Sequence, residues 1–330
     1  MADPEPGPKP HVAAKWADFY NRGFLPWHTG AAASQLHAYL TQCPAAWLEH
    51  GDMQPDQLHV PLTPPLSTEE SPAHAAAPQA HVCPRCAPLK PPLHGAALEI
   101  GCGAGASCAL LARLGRRAAG VDIASAAVRT ARAGVARAGV AGRCVFVQAD
   151  VLQLPEGFCW EAAQRLEQQQ LEQLEQLQQQ QQQQEEGASW ELTATEHLKR
   201  ERGACRGVTA DPSSAASGGD LQQQQQQPRP GFDFVADCQA FHVLWDQDPA
   251  GAVATLHRLL RPGGLLMLLT GNDLEPDCGP NTMSEAELRA AFHEGWEFVW
   301  LTQSRFDETP HYRDELGKRP LAWWALLRRL

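Results

Sequence analysis

The stretch that decides the fold is LEIGCGAGAS, residues 98–107, in which an apolar run ends in Gly101, Gly103 and Gly105. Residues 96–100 predict a short buried strand, and residues 107–114 follow with a helical pattern. Glycines between a strand and a helix let the backbone approach a ligand closely, and the helix N-terminus offers free N–H groups. The stretch therefore predicts a ligand site where the strand ends.

The same strand–helix alternation continues along the chain and predicts a doubly wound α/β sheet with helices on both faces. The two final strands have no long helix between them, so we expect them to pair antiparallel. The expected strands are 96–100, 118–121, 144–148, 232–236, 265–270, 296–302 and 321–327, and the expected helices are 107–114, 125–139, 250–260 and 284–292.

Two segments interrupt this pattern. Ten of the 26 prolines fall in residues 51–95, which favours a linker after an N-terminal segment, residues 1–50. Residues 161–230 are rich in Gln, and we interpret them as a disordered or partly helical low-complexity insertion. A coiled coil that binds a partner, or weak self-association, is the alternative for this insertion. Residues 96–160 and 231–330 then form one domain.

Composition excludes several classes of protein. The chain has 38 acidic residues against 27 Lys and Arg, a formal net charge of -11, which disfavours nucleic acid or an anionic membrane as partner. It has no apolar run long enough to cross a bilayer and no basic, apolar start of the secretory kind, so we expect a cytoplasmic protein. Ten scattered cysteines agree with a reducing compartment.

The nature of the ligand depends on Glu99. Gly101 and Gly103 followed by Ala106 also satisfy the dinucleotide fingerprint, and Asp122 would hold a ribose in either class of protein. A carboxylate two residues before the first glycine would repel a pyrophosphate. It suits a cofactor with positive charge, such as S-adenosylmethionine, which carries a sulfonium and an ammonium group and has no phosphate.

Several segments together resemble the class I S-adenosylmethionine-dependent methyltransferases. Residues 98–107 look like their first motif, residues 121–123 like their second, residues 148–151 like the adenine-contacting segment, and residues 258–266 like the "LkPGG" entry to strand five. The resemblance implies a Rossmann-like, seven-stranded, mostly parallel sheet with an antiparallel C-terminal hairpin. It also implies S-adenosylmethionine as cofactor.

The resemblance also assigns roles to individual residues. Gly101, Gly103 and Gly105 would lie against the methionine part, and Glu99 would orient them or meet the ammonium. Asp122 would hold the ribose and Asp150 the adenine edge. The hydrophobic residues that follow these two acids belong to the same motifs; they are Ile123 and Val151.

A narrower resemblance is to the thiopurine and thiol methyltransferase-like branch, which acts on small molecules. Residues 24–30 contain the "PW-x-x-G" motif with Trp27, and the aromatic segment 16–30 would close over the cofactor. Residues 237–242 resemble "D-R-G-x-F-H", with Asp237 and His242 in place but Cys and Gln where the branch has Arg and Gly. The branch implies a thiol or another soft nucleophile as acceptor, with His242 as the candidate base for a hydroxyl or nitrogen.

Two alternatives to a methyltransferase remain open at this point. An NAD(P)-dependent oxidoreductase would share the glycine loop but have no antiparallel hairpin at the C-terminus. A noncatalytic binding module on a decayed methyltransferase fold would bind the cofactor weakly or not at all.

Cys83 and Cys86, with His81 and His94 nearby, have half of the spacing of a zinc site. Because no second Cys pair follows at finger or ribbon distance, we predict no metal.

Overall fold

The computed structural model describes residues 10–44, 79–81, 83–197, 231–275, 277 and 280–330. The helices are α1 (Pro10–Arg22), α2 (Ser34–Thr41), α3 (Ala106–Arg113), α4 (Ser125–Arg137), α5 (Trp160–His197), α6 (Phe241–Gln247), α7 (Pro249–Leu259), α8 (Glu285–Ala291) and α9 (Pro310–Asp314). The strands are β1 (Ala96–Ile100), β2 (Arg117–Asp122), β3 (Cys144–Gln148), β4 (Phe232–Cys238), β5 (Leu260–Asn272), β6 (Thr282–Met283), β7 (Trp296–Arg305) and β8 (Leu321–Arg329). Among the described residues, no helix is long and apolar enough to cross a membrane.

The sheet has the order β3-β2-β1-β4-β5-β8-β7. The first five strands in that order are mutually parallel, while β8 runs antiparallel between β5 and β7. The two buried faces form separate hydrophobic clusters, so helices cover both sides of the sheet as predicted. The fold class expected from the sequence is confirmed. An eighth strand, β6, pairs with the end of β5 and is too short to leave a sequence pattern.

Helix α2 belongs to the core, and this corrects the boundary of the N-terminal segment, which the sequence extended as a lid to residue 50. Leu36 and Tyr39 are fully buried. The backbone N–H and hydroxyl of Ser34 donate to the carboxylate of Asp307 at 2.8 and 2.5 Å. The side-chain amide of Gln35 donates to Ser304 Oγ at 2.9 Å in β7. This helix is therefore part of the domain and holds the chain that precedes it.

The Gln-rich segment also differs from its expected form. It begins as the helix α5, and the first turns of this helix pack on the sheet, with Ala163 fully buried. Glu167 Oε1 accepts hydrogen bonds from the backbone N–H of Phe146 at 2.9 Å and from Arg132 Nε at 3.0 Å. Leu174 and Leu177 are exposed, as a solvated segment requires.

The chain divides into two compact units, one of residues 1–167 and 230–330 and the other of residues 168–229. The boundary thus lies seven residues after the predicted start of the insertion at 161. Residues 51–78 of the proline-rich segment and 198–230 of the insertion lie outside the described residues, so the expectations for them remain predictions.

We expect that replacing residues 168–229 by a flexible linker of about 12 residues leaves the α/β domain folded, because loop length costs little free energy. Replacing residues 161–229 instead should lower the free energy of unfolding by about 2–4 kcal/mol, because it removes buried Ala163 and the hydrogen bonds of Glu167. Urea unfolding of the two deletion proteins measures the difference. Equal stability of both proteins would contradict this boundary.

Candidate active site

The glycine loop between β1 and α3 is closely packed. Gly101 and Gly103 have φ values of +58° and +52°, a conformation that glycine adopts without strain. A Cβ on Gly101 would lie 2.5 Å from the Cβ of Ala240, and one on Gly103 would lie 3.1 Å from Tyr20 Oη. The backbone conformation favours glycine at both positions, and at Gly101 the close approach of the β4–α6 turn also leaves no room for a side chain.

Asp122, the last residue of β2, fixes this loop. Its Oδ2 accepts a hydrogen bond from the N–H of Gly103, and its Oδ1 accepts one from the N–H of Ala124, both at 2.9 Å. Burial raises the pKa of the carboxyl, and the two N–H donors oppose that rise. The side chain joins the carboxyl ends of β1 and β2 and leaves the remaining lone pairs of its oxygens for a ligand.

Asp150 follows β3 and has one carboxylate oxygen without a partner. Its Oδ1 accepts a hydrogen bond from the N–H of Leu152 at 3.0 Å and so caps a short 3₁₀ turn. Its Oδ2 is buried, and no hydrogen-bond donor reaches it among the described residues. A buried acceptor without a donor costs free energy, which a ligand N–H would recover.

Two adjoining cavities meet at the glycine loop. The first has an empty volume of about 730 Å³ including its open mouth, and the second about 630 Å³. These are sizes typical of small-molecule sites. Both are lined by Tyr20, Trp27, Gly101, Gly103, Cys238 and Gln239. The first cavity adds Val12, Trp16, Asp122, Ile123, Ala149, Asp150, Val151, Ala240, Val243, Leu244 and Gln247. The second adds His28, Thr29, Ala31, Ala33, Glu99, Cys102, Ala104, Ala106, Ser107, Leu269 and Asp307.

Glu99 is a buried acid at the floor of the second cavity. Its Oε2 accepts a weak hydrogen bond from Cys108 Sγ at 3.5 Å, and its side chain is only 4% exposed. Burial raises the pKa of Glu99 to about 8, and the nearby carboxyl of Asp237 adds to that rise. A cation placed against Glu99 would favour its charged form and lower that pKa.

The turn after β4 is shaped by Asp237. Its Oδ1 accepts hydrogen bonds from the N–H groups of Ala240 and Phe241 at 2.9 and 2.8 Å, while burial raises its pKa to about 7. Gln239, inside this turn, has a φ of +77°. A residue other than glycine in this left-handed region is uncommon and costs about 1–2 kcal/mol. This is the position at which the resembling branch has Gly.

The aromatic residues of the N-terminal segment lie at the mouth of the first cavity. The ring centroids of Trp16 and Trp27 are 5.0 Å apart, and those of Phe19 and Trp27 are 5.4 Å apart. Tyr20 lies beside them, and its pKa is raised by burial and by the nearby carboxyl of Asp122. The aromatic segment thus lies at the carboxyl ends of the strands, the position that the sequence predicted.

Most of the predicted site residues are brought together by this geometry. Those in the cavity linings are Trp27, Glu99, Gly101, Gly103, Asp122, Ile123, Asp150 and Val151. Two others take supporting positions. A Cβ on Gly105 would lie 2.8 Å from the Cβ of Ala131, so this glycine lets α3 pack on α4. Asp237 acts through the backbone of the turn that it caps.

His242 is the predicted residue that the structure places differently. Its neighbours Val243 and Leu244 line the first cavity, but His242 is not in either lining among the described residues. Its side chain is 9% exposed, and burial together with the charge of Lys15 lowers its pKa to about 4. We therefore withdraw His242 as a candidate base.

Several residues that the sequence analysis did not select take part in the site. Tyr20 and Gln239 line both cavities, and His28, Ser107 and Asp307 line the second. His28 lies within the "PW-x-x-G" motif, directly after Trp27, which was the signal available for it. Asp307 gives no such signal, because only the docking of α2 on β7 brings it to the cavity.

One group of side chains outside the two cavities could hold a metal ion, although the sequence led us to predict none. Cys43, His81, Cys83 and Cys86 each offer a ligand atom, and these four atoms lie within 4.8 Å of one another. Cys43 lies 40 residues before Cys83, so a search for a second Cys pair at finger or ribbon distance missed it.

Comparison with known proteins agrees with the fold. One family model described as a methyltransferase domain matches residues 97–173, and another with the same description matches residues 193–268. The chain carries a methyltransferase domain. The first match contains β1 to β3 and the second β4 and most of β5, so together they are two parts of the one sheet. The predicted enzyme class, an S-adenosylmethionine-dependent methyltransferase, is confirmed.

Solved structures are similar in fold to this methyltransferase. One is the protein reported with the conversion of a disulfide bond into a thioacetal group during echinomycin biosynthesis, with 17% identity, 97% of this chain and 92% of that chain covered, and a TM-score of 0.50. A methyltransferase of Methanosarcina mazei has 15% identity, 72% and 94% coverage and a TM-score of 0.43. The N-methyltransferase NodS of Bradyrhizobium japonicum has 16% identity, 72% and 79% coverage and a TM-score of 0.39. A search of curated proteins finds no significant match.

The raised pKa of Glu99 predicts how stability depends on pH. Because the folded state holds this proton up to about pH 8 and an unperturbed Glu releases it near 4.5, the free energy of unfolding should fall as pH rises between these values. Glu99→Gln removes this contribution together with the repulsion between Glu99 and Asp237, while the carboxyl of Asp122 remains in both proteins.

Urea unfolding of wild type and Glu99→Gln at several pH values checks this. The stability of wild type relative to the variant should decline by up to about 1.4 kcal/mol per pH unit across that window. Glu297→Gln, an exchange of an exposed acid in β7, serves as the control. A difference between wild type and Glu99→Gln that stays constant with pH would contradict the assignment.

Proposed function

We propose that the enzyme transfers the methyl group of S-adenosylmethionine to a small-molecule acceptor, and that this acceptor is a thiol or another soft nucleophile. The observation that carries the proposal is the pair of adjoining cavities at the glycine loop, which an acidic residue lines at three separate points. Glu99, Asp122 and Asp150 supply hydrogen-bond acceptors and negative charge, which a cationic nucleoside requires. They supply no group that binds a phosphate.

The first cavity fits the adenosine part. The unpartnered Oδ2 of Asp150 accepts a hydrogen bond from the amino group of adenine, and the apolar side chains of Ile123 and Val151 flank the ring. Asp122 accepts hydrogen bonds from the ribose hydroxyls with the lone pairs that its two backbone donors leave over. The donor pattern of the ligand thus matches the acceptors that line the cavity.

The second cavity fits the methionine part. Glu99 lies at its floor, and in its charged form it attracts the ammonium group of the ligand. The Gly101 and Gly103 backbone lies against the same part, where a side chain would collide with Ala240 or Tyr20. Binding of a cation here offsets the free energy that burial of the carboxyl costs.

Bound in this way, S-adenosylmethionine supplies a methyl group on a positively charged sulfur. The acceptor's lone pair forms a bond to that methyl carbon as the sulfonium bond breaks, which leaves S-adenosylhomocysteine. The protein's part is to align the two reactants and to exclude water, since a strong electrophile needs little further activation. The side chains that align the reactants and exclude water at the mouth of the first cavity are those of Trp16, Tyr20 and Trp27.

The acceptor's proton is the remaining requirement. A thiolate needs no base, whereas a thiol must lose its proton before or during attack. His28 lines the second cavity, and burial lowers its pKa, so that it is neutral and can accept a proton near pH 7. Cys238 and Gln239 face the same space at the position where the resembling branch has Arg and Gly, so they shape the acceptor pocket.

Asp150→Asn tests the adenine contact. The amide oxygen can still accept from the N–H of Leu152, but its NH₂ then faces the donor on adenine. We expect the affinity for S-adenosylhomocysteine to fall by about 10- to 100-fold, which corresponds to about 1.4–2.8 kcal/mol, with unchanged melting temperature. Asp248→Asn is the matched control, because Asp248 caps α7 in the same manner away from the cavities. An affinity that stays at the wild-type value would remove Asp150 from the site.

Transfer of a labelled methyl group to a series of thiols, alcohols and amines tests the acceptor class. Thiols should give the highest kcat/KM. His28→Ala should slow thiols that are protonated at the assay pH by about 10- to 100-fold and leave strongly acidic thiols nearly unaffected. Preference for alcohols or amines would contradict the acceptor class, and an equal loss for all thiols would contradict the role of His28. Cofactor binding without transfer to any acceptor would indicate a noncatalytic module.

A further inference from the structure

The four-residue cluster of Cys43, His81, Cys83 and Cys86 is separate from the active site. Its ligand atoms lie within 4.8 Å of one another, and none of the four residues lines either cavity at the glycine loop. Cys43 Sγ lies 2.9 Å from Cys86 Sγ and 4.0 Å from Cys83 Sγ. These separations exceed the roughly 2.05 Å of a disulfide bond.

We propose that this cluster is a structural zinc site with three thiolate ligands and one imidazole ligand. Cys₃His is an established donor set for tetrahedral Zn²⁺, and with Zn–S bonds of about 2.3 Å the sulfur atoms of a tetrahedron lie about 3.8 Å apart. The observed sulfur separations fall on either side of this value. His81 Nε2 is buried and accepts no hydrogen bond among the described residues.

The local sequence builds two of the ligands into one turn. In residues 83–87 the N–H groups of Cys86 and Ala87 both donate to the carbonyl oxygen of Cys83 at 3.1 Å. This turn directs both thiols to the same side, as the C-x-x-C spacing of zinc sites does. The 3₁₀ turn Ala87–Leu89 follows and leads towards β1.

The other half of the cluster is held in place by bonds that do not involve the ligand atoms. The N–H of His81 donates to the carbonyl oxygen of Leu40 at 3.1 Å, and Lys90 Nζ donates to the carbonyl oxygens of Leu40 and Gln42 at 3.0 and 2.7 Å. Tyr39 Oη donates to the carbonyl oxygen of Leu89 at 2.7 Å. The end of α2 and the segment before β1 are thus joined side by side, which brings Cys43 to the other three ligands.

Charge supplies an independent argument. Arg116 is 1% exposed, and its Nε and Nη1 have no hydrogen-bond partner among the described residues, while its Nη2 donates to the carbonyl oxygen of Pro91. Arg116 and Lys90 line one cavity together with His81, Cys83 and Cys86. A buried guanidinium requires a nearby negative charge. Three thiolates around one Zn²⁺ carry a net charge of −1 and supply it.

The four ligands leave no open position on a tetrahedral ion, so the site is structural rather than catalytic. Zinc there would cross-link the end of α2 to the segment before β1 and close the loop of residues 44–80. Closing a loop of this length removes much of the conformational entropy of the unfolded chain. Zinc should therefore stabilise the α2 region, to which the cavity-lining segment 16–30 is attached.

The test uses the full-length protein, kept reduced, with zinc content measured by elemental analysis. We expect about one zinc per chain, either in the protein as purified or after zinc is removed by chelation and Zn²⁺ is added back. The zinc-loaded form should have a higher melting temperature than the zinc-free form. X-ray absorption at the zinc edge should give three sulfur neighbours at about 2.3 Å and one nitrogen at about 2.0–2.1 Å. Co²⁺ in place of Zn²⁺ should give thiolate charge-transfer bands and intense visible bands of a tetrahedral site.

Variants locate the metal. Cys43→Ser should lower the affinity for Zn²⁺ by at least 10-fold, whereas Cys144→Ser, a half-buried cysteine at the start of β3, should retain one zinc per chain. If Cys43→Ser does not fold, the absorption spectrum of the wild-type protein still decides the ligand set.

Three results would overturn the proposal. The first is less than about 0.2 zinc per reduced wild-type chain in the presence of excess Zn²⁺. The second is a metal with oxygen and nitrogen neighbours only. The third is full retention of zinc by Cys43→Ser, which would place the metal elsewhere. A Cys43–Cys86 disulfide that persists in reductant with Zn²⁺ present gives the first result and would identify a redox pair instead.

Discussion

The carboxylate of Asp122 is the contact on which the rest of the active site depends. β1 must pass into α3 within five residues, and the turn that does this has its backbone N–H groups at the edge of the sheet. Asp122 binds one of these groups, at Gly103, and also binds Ala124 at the start of the next helix. The backbone ladder pairs five residues of β1 with five of β2, and this side chain joins the two chain segments just beyond its end. It thereby holds the loop at which both cavities lie.

The same region contains acidic groups whose negative charge the surrounding residues do not fully neutralise. Glu99 and Asp237 are buried within the carboxyl ends of neighbouring strands, and burial raises the pKa of both, to about 8 and about 7. Burial outweighs the hydrogen bonds that each carboxyl accepts, so ionisation of either group costs free energy unless a cation lies nearby. A site arranged in this way favours a positively charged ligand over a neutral or anionic one. The protein's electrostatics therefore support selection of S-adenosylmethionine over a dinucleotide.

Much of this could be predicted from the sequence, because the relevant signals are local. The bounds of β1 and β3 are those predicted, since each strand is a short apolar run bounded by polar residues or glycine. The glycine loop and the acids after β2 and β3 are likewise read from adjacent residues. The antiparallel position of β8 follows from the absence of a long connecting helix.

The remainder depends on contacts between distant parts of the chain. Asp307 reaches the second cavity only because α2 docks on β7, and Cys43 meets Cys83 only because α2 ends beside the segment before β1. His242 matches the pattern of a family motif, but it is in neither cavity lining. The direction of a side chain on a short helix is set by packing, which the motif does not show. The start of α5 has a sequence similar to the Gln-rich sequence that follows it, so composition does not separate the two. Glu167 at this start nevertheless accepts a hydrogen bond from the backbone of β3.

The central claim is that the glycine loop and three acidic residues beside it, Glu99, Asp122 and Asp150, hold S-adenosylmethionine. Calorimetric titration of the full-length protein with S-adenosylhomocysteine and, separately, with NAD⁺ tests it most directly. We predict one-to-one binding of S-adenosylhomocysteine and no measurable binding of NAD⁺. Because the ammonium group favours charged Glu99, binding near pH 7 should also release protons, which appears as a dependence of the heat on the ionisation enthalpy of the buffer. Binding of NAD⁺ in preference to S-adenosylhomocysteine, or of neither, would contradict the account.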